Sequence, residues 1–296
     1  MTKLTSYYRK PKAFIEIPTK GELYQLNEDS SMMGEVGVMP MTMMNHLTAN
    51  NPESLINGNV IEELIKDCTT IKHIPPRKLY KCDIDALLMG IRMVSVDDTM
   101  DVTIPCPECT KEGDYAINLK GMLSEMTFHE ELPYKLKIDD LVLNITPTTL
   151  ESSVNTEQSF FQDAKSIDQI RKLMDAIRDN VDDDGDIEEG VTERIMEHVN
   201  DIYAIQRKMT ETTIKLYADS VISVTTPEGD VEDRDEIFDF VKNLSDADHK
   251  RLKDKVKEIS MIGIPKIQNF TCVQCKHEFS HKVELNPTDF FGNGSQ

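Results

Sequence analysis

Tryptophan is absent from this 296-residue chain, and aromatic residues make up only 6% of it. A core must therefore be built from Leu, Ile, Val and 16 methionines rather than from large rings. Methionine is unbranched and polarizable, so it serves either as core filler or as an adaptable docking surface. Cationic residues are also scarce: 33 Lys and Arg stand against 53 Asp and Glu, a formal net charge of -20. Binding to nucleic acid or to an anionic membrane rests on clustered Lys and Arg, so this balance argues against both. No run approaches the roughly 18 apolar residues that span a bilayer. The opening "MTKLTSYYRKPKAF" has no apolar stretch of the kind a secretory signal needs. The expectation is a cytosolic protein. A phosphate-cradling glycine loop, a GxSxG elbow and an HExxH helix are all missing. The seven histidines (46, 73, 129, 198, 249, 277 and 281) gather around no obvious nucleophile, so nothing speaks positively for an enzyme.

Six cysteines are present, at 68, 82, 106, 109, 272 and 275. Four of them form two Cys-x-x-Cys knuckles, "PCPECTKEG" from Pro105 and "FTCVQCKHE" from Phe270, with 162 residues between Cys109 and Cys272. In a reducing compartment such pairs point to metal rather than to a disulfide framework. Each knuckle lies between strand-like arms, "MDVTIP" and "YAINL" for the first, "KIQNF" and "FSHKVEL" for the second. Two hairpins tipped in this way make a zinc ribbon. Zn2+ favours four tetrahedral ligands, and thiolates suit a structural site, so the expected ligands are Cys106, Cys109, Cys272 and Cys275. A closed shell leaves no position for water, and the metal is expected to staple rather than to catalyse. His277 and His281 follow the second knuckle as alternative ligands. Four free thiols or two local disulfides are the metal-free readings. A redox pair would need a Cys-x-x-Cys at the start of a helix, which neither knuckle shows. Cys68 and Cys82 lack knuckle spacing, and core packing or a chance exposed thiol accounts for them.

A chain of this length can bury one full core and more readily two subdomains. "FIEIPTKGELY" reads as a strand, a turn and a short strand at Leu23-Tyr24, and "GEVGVMPMT" as a strand entering a helix capped by Thr42. Val60, Ile61, Leu64 and Ile65 recur at helical spacing up to Cys68, as do Ile84, Leu87, Leu88 and Ile91 in a second helix. Asp83 or Asp85 near the start of that helix complements its macrodipole. Residues 134–147 alternate as a hairpin turning at Asp139-Asp140. From Leu150 to about Ile262 everything reads as helix, with Phe160, Ala164, Ile167, Ile170, Met174, Ile177 and Val181 in one apolar stripe. Ile195, Val199, Ile202 and Met209 form another stripe, and Ser245 with Asp248 forms a capping box. The fold class is α+β: a small α/β framework with a split zinc ribbon and a large helical insertion. The expected organisation is residues 1–149, an acidic helical insertion over 150–262, and a C-terminal ribbon half with a Phe-Phe tail over 263–296. "NVDDDGDIEEGV" opens like a calcium loop with Asn180, Asp182, Asp184 and Gly185, but Val191 stands where the bidentate Glu belongs. It reads as a solvated acidic turn or as a weak calcium site.

The order of these blocks resembles a known family. "IPTKGELY", "LINGNVIEELIKDC", "CDIDALLMGIRMVSV", "CPEC" and the closing "CVQCKHEFSHKVELNPTDFF" are similar to successive blocks of the T4-like phage baseplate hub assembly family. The resemblance implies a protein of a contractile-tailed phage, made in the host cytoplasm. It would help build the baseplate hub as an assembly factor or chaperone, or as a retained tail subunit, binding other hub proteins rather than doing chemistry. Phe290 and Phe291 could anchor a partner pocket or fold onto the protein's own core, and Tyr7 and Tyr8 pose the same choice. The competing reading is a zinc-ribbon regulator that contacts host RNA polymerase or another host complex through its acidic face.

Overall fold

A computed structural model describes residues 10–24, 35–49, 58–179 and 191–283 of the chain. Tyr7, Tyr8, Phe290, Phe291 and the acidic turn at 180–190 lie outside the described residues.

The chain opens with β1 (Ala13–Glu16) and β2 (Glu35–Val38), paired antiparallel with Ala13 opposite Val38. Helix α1 (Met43–Ala49) follows. Its Thr42 cap is reciprocal: the Asn45 N–H donates to Thr42 Oγ1 at 3.2 Å, and the Thr42 N–H donates to Asn45 Oδ1 at 2.9 Å. Helix α2 (Asn59–Cys68) buries Val60, Ile61, Leu64 and Ile65, the face its spacing predicts. Helix α3 (Lys81–Ser95) is buried on every side from Asp83 to Arg92. A helix apolar all round belongs inside a core, and α3 is the central member of this one. Gly90 lets β1 lie directly on it, since a Cβ there would sit 2.5 Å from Ile15 Cγ1.

Next come β3 (Thr99–Pro105) and β4 (Glu112–Asn118), an antiparallel hairpin carrying the first knuckle, and then α4 (Leu119–Ser124). β5 (Tyr134–Ile138) and β6 (Leu141–Ile145) form the expected hairpin, with Asp139 in the left-handed region at its turn. Two long helices, α5 (Leu150–Asp179) and α6 (Val191–Ser220), pack against each other. Asp163 on α5 is buried and pairs with Lys208 on α6 at 2.7 Å.

The helical reading of 150–262 then needs a correction. Residues Val221–Thr226 form β7 and Gly229–Val231 form β8, completing an antiparallel sheet in the order β5-β6-β7-β8. "VISVTT" is rich in β-branched residues, which fit a pleated surface, and Pro227-Glu228-Gly229 supplies the turn. Helix returns with α7 (Arg234–Lys242), capped by Asp233, and α8 (Asp246–Ser260). Ser245 caps α8 as expected, with the Asp248 N–H donating to Ser245 Oγ at 3.2 Å, while the return half of the box differs: the Asp248 carboxylate accepts from the Ser245 hydroxyl at 2.7 Å. β9 (Ile267–Thr271) and β10 (Glu278–Lys282) close the chain's described part as the second knuckle hairpin. Two smaller expectations also change. Leu23-Tyr24 is turn rather than strand, and Ala164 of the α5 stripe faces solvent while Phe160, Ile167, Ile170 and Met174 are half-buried.

Two apolar cores result. One gathers Val36, Val38, Leu64, Ile65 and the α3 side chains, together with Ile264 and Val283 from either side of the C-terminal hairpin. The other packs Leu143, Ile145, Val221 and Val224 of the four-stranded sheet against Ile237, Leu252 and Val256 of α7 and α8. The fold is α+β, as its sequence pattern predicts.

Candidate metal centre

The two knuckles meet. The Sγ atoms of Cys106, Cys109, Cys272 and Cys275 all lie within 4.8 Å of one another. Cys106 Sγ is 3.7 Å from Cys275 Sγ, and Cys109 Sγ is 3.7 Å from Cys272 Sγ. Four sulfurs at about 2.3 Å from a tetrahedral zinc stand about 3.8 Å apart, close to the two 3.7 Å pairs, so the four cysteines could hold such an ion.

The knuckles are built alike. In the first, the Cys106 N–H donates to Lys111 O at 3.0 Å and the Thr110 N–H to Cys106 O at 2.9 Å. In the second, the Cys272 N–H donates to His277 O at 2.8 Å and the Lys276 N–H to Cys272 O at 3.0 Å. Each closes through a residue of positive φ in the same place, Thr110 at 58° and Lys276 at 62°. Behind the sulfurs, Tyr115 of β4 packs between the hairpins against Phe270 of β9 at 5.0 Å and Phe279 of β10 at 6.2 Å. His277 stacks parallel to Phe279, and His281 pairs across the hairpin with Gln268. Neither belongs to the sulfur cluster, so the set of four cysteines stands as the candidate ligand shell.

Two of the thiols are shifted in opposite directions. The backbone N–H of Cys275, with that of Gln274, pulls Cys272 down to about 6. The His277 amide favours a Cys275 thiolate too, but burial and the neighbouring sulfurs Cys272, Cys109 and Cys106 push that thiol up to about 12. Burial, then the charges on Cys272 and Cys106, raises the Tyr115 phenol.

The remaining cysteines are apart from this cluster. Cys68 is buried, 3.7 Å from Asn45 Oδ1, and packs as expected. Cys82 Sγ is 3.7 Å from His129 Nε2, and His129 Nδ1 is 2.9 Å from the Tyr134 hydroxyl. Burial, then the Asp83 and Asp85 charges, pushes the Cys82 thiol well up, and burial holds His129 down to about 4. Both groups are therefore neutral at pH 7, the opposite of a thiolate–imidazolium pair poised for attack.

Two buried acids carry more than the macrodipole role their position suggests. Asp83 accepts from the Thr19 N–H at 3.0 Å, from Thr19 Oγ1 at 2.6 Å and from the Tyr24 hydroxyl at 2.6 Å. Asp85, also buried, pairs with Lys81 at 2.6 Å and with Lys266 at 2.6 Å. These two cations outweigh burial and hold the Asp85 carboxyl below its ordinary range. Lys266 stands just before β9, and its carbonyl accepts from the Val283 N–H at 2.7 Å just after β10. The C-terminal hairpin is thus tied at its base by charge and along its length by rings, and its tip places Cys272 and Cys275 against Cys106 and Cys109. The signal for buried acids was the all-round apolar character of "IDALLMGI", which leaves Asp83 and Asp85 no solvent face.

A family model described as T4 bacteriophage base plate protein matches residues 24–292 of the chain. No curated protein and no solved structure matches it.

Proposed function

The chain belongs to the T4 bacteriophage base plate protein family, and from that premise we propose that it is a non-enzymatic structural or assembly protein of the baseplate hub. It acts by binding other tail proteins, in the host cytoplasm while the tail is built and, if retained, in the virion. The observation that supports a binding role is the convergence of four distant cysteines to within 4.8 Å of one another. In this reading Cys106, Cys109, Cys272 and Cys275 hold one Zn2+, which supplies four metal–thiolate bonds and no open position. The protein's own groups do the rest. Tyr115, Phe270 and Phe279 keep the hairpins together, and the Lys266–Asp85 pair fixes where the second hairpin leaves the core.

Two measurements test the proposal. Native mass spectrometry should find one zinc per chain, lost in Cys272→Ser together with cooperative unfolding of the ribbon. Zinc retained by that variant would break the link between the knuckles. Tagged protein expressed during infection should sediment with hub intermediates or finished tails. Its absence from both, with salt-sensitive capture on host RNA polymerase instead, would replace the hub reading with the regulatory one.

A further inference from the structure

β1 pairs with β2 on one edge and, among the described residues, with no strand on the other. The far side of β2 is already covered: the Thr70 N–H donates to Gly37 O at 2.9 Å, and Val38 bridges to Thr69. Among the described residues the small sheet therefore ends at β1. Beside β1 runs a groove of about 470 Å³, floored by Ala13, Ile15, Met93, Val94 and Val96, with Gly90 beneath. Val96 is 53% exposed. Open strand edges are templates for another strand. Where an apolar groove runs alongside, main-chain bonds give affinity and alternate side chains fill the groove.

The charges around it favour one kind of occupant. Asp97 and Asp98 line the groove immediately beyond the C-terminus of α3, against a single lining cation among the described residues, Lys120. The helix end adds partial negative charge at the same place. The Asp98 N–H donates to Asp97 Oδ1 at 2.7 Å and helps hold that carboxyl ionised, below its ordinary range.

We propose that the free edge of β1 and this groove receive an extended strand from a partner protein, one whose apolar residues alternate with Lys or Arg. The apolar side chains, on one face of the added strand, lie on Ile15, Val94 and Val96, and a Lys or Arg where the strand passes the end of α3 reaches Asp97 and Asp98. This surface uses none of the four cysteines, so its failure leaves the metal staple standing, and the reverse.

The probe is a fluorescent nine-residue peptide of alternating Val and Lys, followed by anisotropy against the full-length protein. Three controls go with it: a Val–Glu peptide, a Val–Lys peptide N-methylated at alternate residues, and the Val96→Glu protein. Val96 is solvent-facing, so Val96→Glu should fold normally, which circular dichroism checks. Each control should weaken binding about tenfold or more, equivalent to about 1.4 kcal/mol. Val96→Glu adds negative charge, so a loss there comes from the groove and not from general attraction. Asp97→Asn with Asp98→Asn should flatten the salt dependence. Equal binding of the Val–Lys and Val–Glu peptides, or indifference to N-methylation or to Val96→Glu, would overturn the proposal. So would self-association abolished by Val96→Glu, which would assign the edge to a second copy of this chain.

Discussion

His129 sits neutral between Cys82 and Tyr134 in the interior, and protonating it there has no compensating partner. Its folded-state value of about 4 lies below the ordinary histidine value of about 6.5. The sign follows: stability from this group is complete above about pH 6.5 and is lost as pH falls toward 4, because the unfolded chain binds a proton that the folded one refuses. The slope reaches at most about 1.4 kcal/mol per pH unit. Urea midpoints from about pH 4.5 to 7, for the protein and for His129→Gln, should diverge, with the unsubstituted protein losing more on acidification. Parallel curves would refute this, and thiol effects common to both proteins cancel in the comparison. The knuckle residues Thr110 and Lys276 carry a different cost, since a left-handed backbone disfavours an L side chain by about 1–2 kcal/mol. Thr110→Gly should raise the denaturant midpoint of the metal-loaded protein, by a net of about 0.5–1 kcal/mol once glycine's extra unfolded-state freedom is subtracted. Lys276→Gly should do the same to a smaller degree, because lysine is not β-branched. The four clustered cysteines were legible, since Cys-x-x-Cys spacing is a local signal. The acids around α3 were not, because a carboxylate's burial is set by which segments cross it: Thr19 and Lys266 come from opposite ends of the chain.

Among the elements, α3 and β1 are coupled through one missing methyl group. Gly90→Ala would gain about 1 kcal/mol of helix propensity but place Cβ 2.5 Å from Ile15 Cγ1. Overpacking of that kind costs about 1–3 kcal/mol, so the net change should be a loss. Adding Ile15→Ala should recover part of it, and a double-mutant cycle by chemical denaturation reads the coupling. Additive losses would mean that the two residues do not meet. Most elements were readable from the order of apolar residues: α2, α3, the β5–β6 hairpin and the cap of α8 stand where the pattern puts them. β7 and β8 were overlooked because they sit between four helices and a helical period is easily continued through six residues. The β-branched run at 221–226 was the contrary signal. The pairing of β7 with β6 joins residues near 142 to residues near 225, a distant match that no local pattern encodes.

For the whole molecule, the tie between Asp85, Lys81 and Lys266 links the central helix to the last hairpin. Removing one partner of a buried charge cluster costs about 3–5 kcal/mol. Asp85→Ala should approach the lower figure, because both lysines are part-exposed and find water. Denaturation with and without chelator should show the loss in both states; a loss confined to the metal-loaded protein would place the contact within the ribbon alone. The order of the ligands along the chain has a consequence in time. At about 5–20 residues per second of synthesis, Cys106 and Cys109 are made roughly 8–30 seconds before Cys272 and Cys275. For that interval the first pair would be half of the proposed site, able to hold an ion only weakly or to lose it. Full ligation of the proposed site would wait until the sheet, the long helices and the last hairpin have all been produced, so a metal held there would mark a chain whose distant parts have found each other.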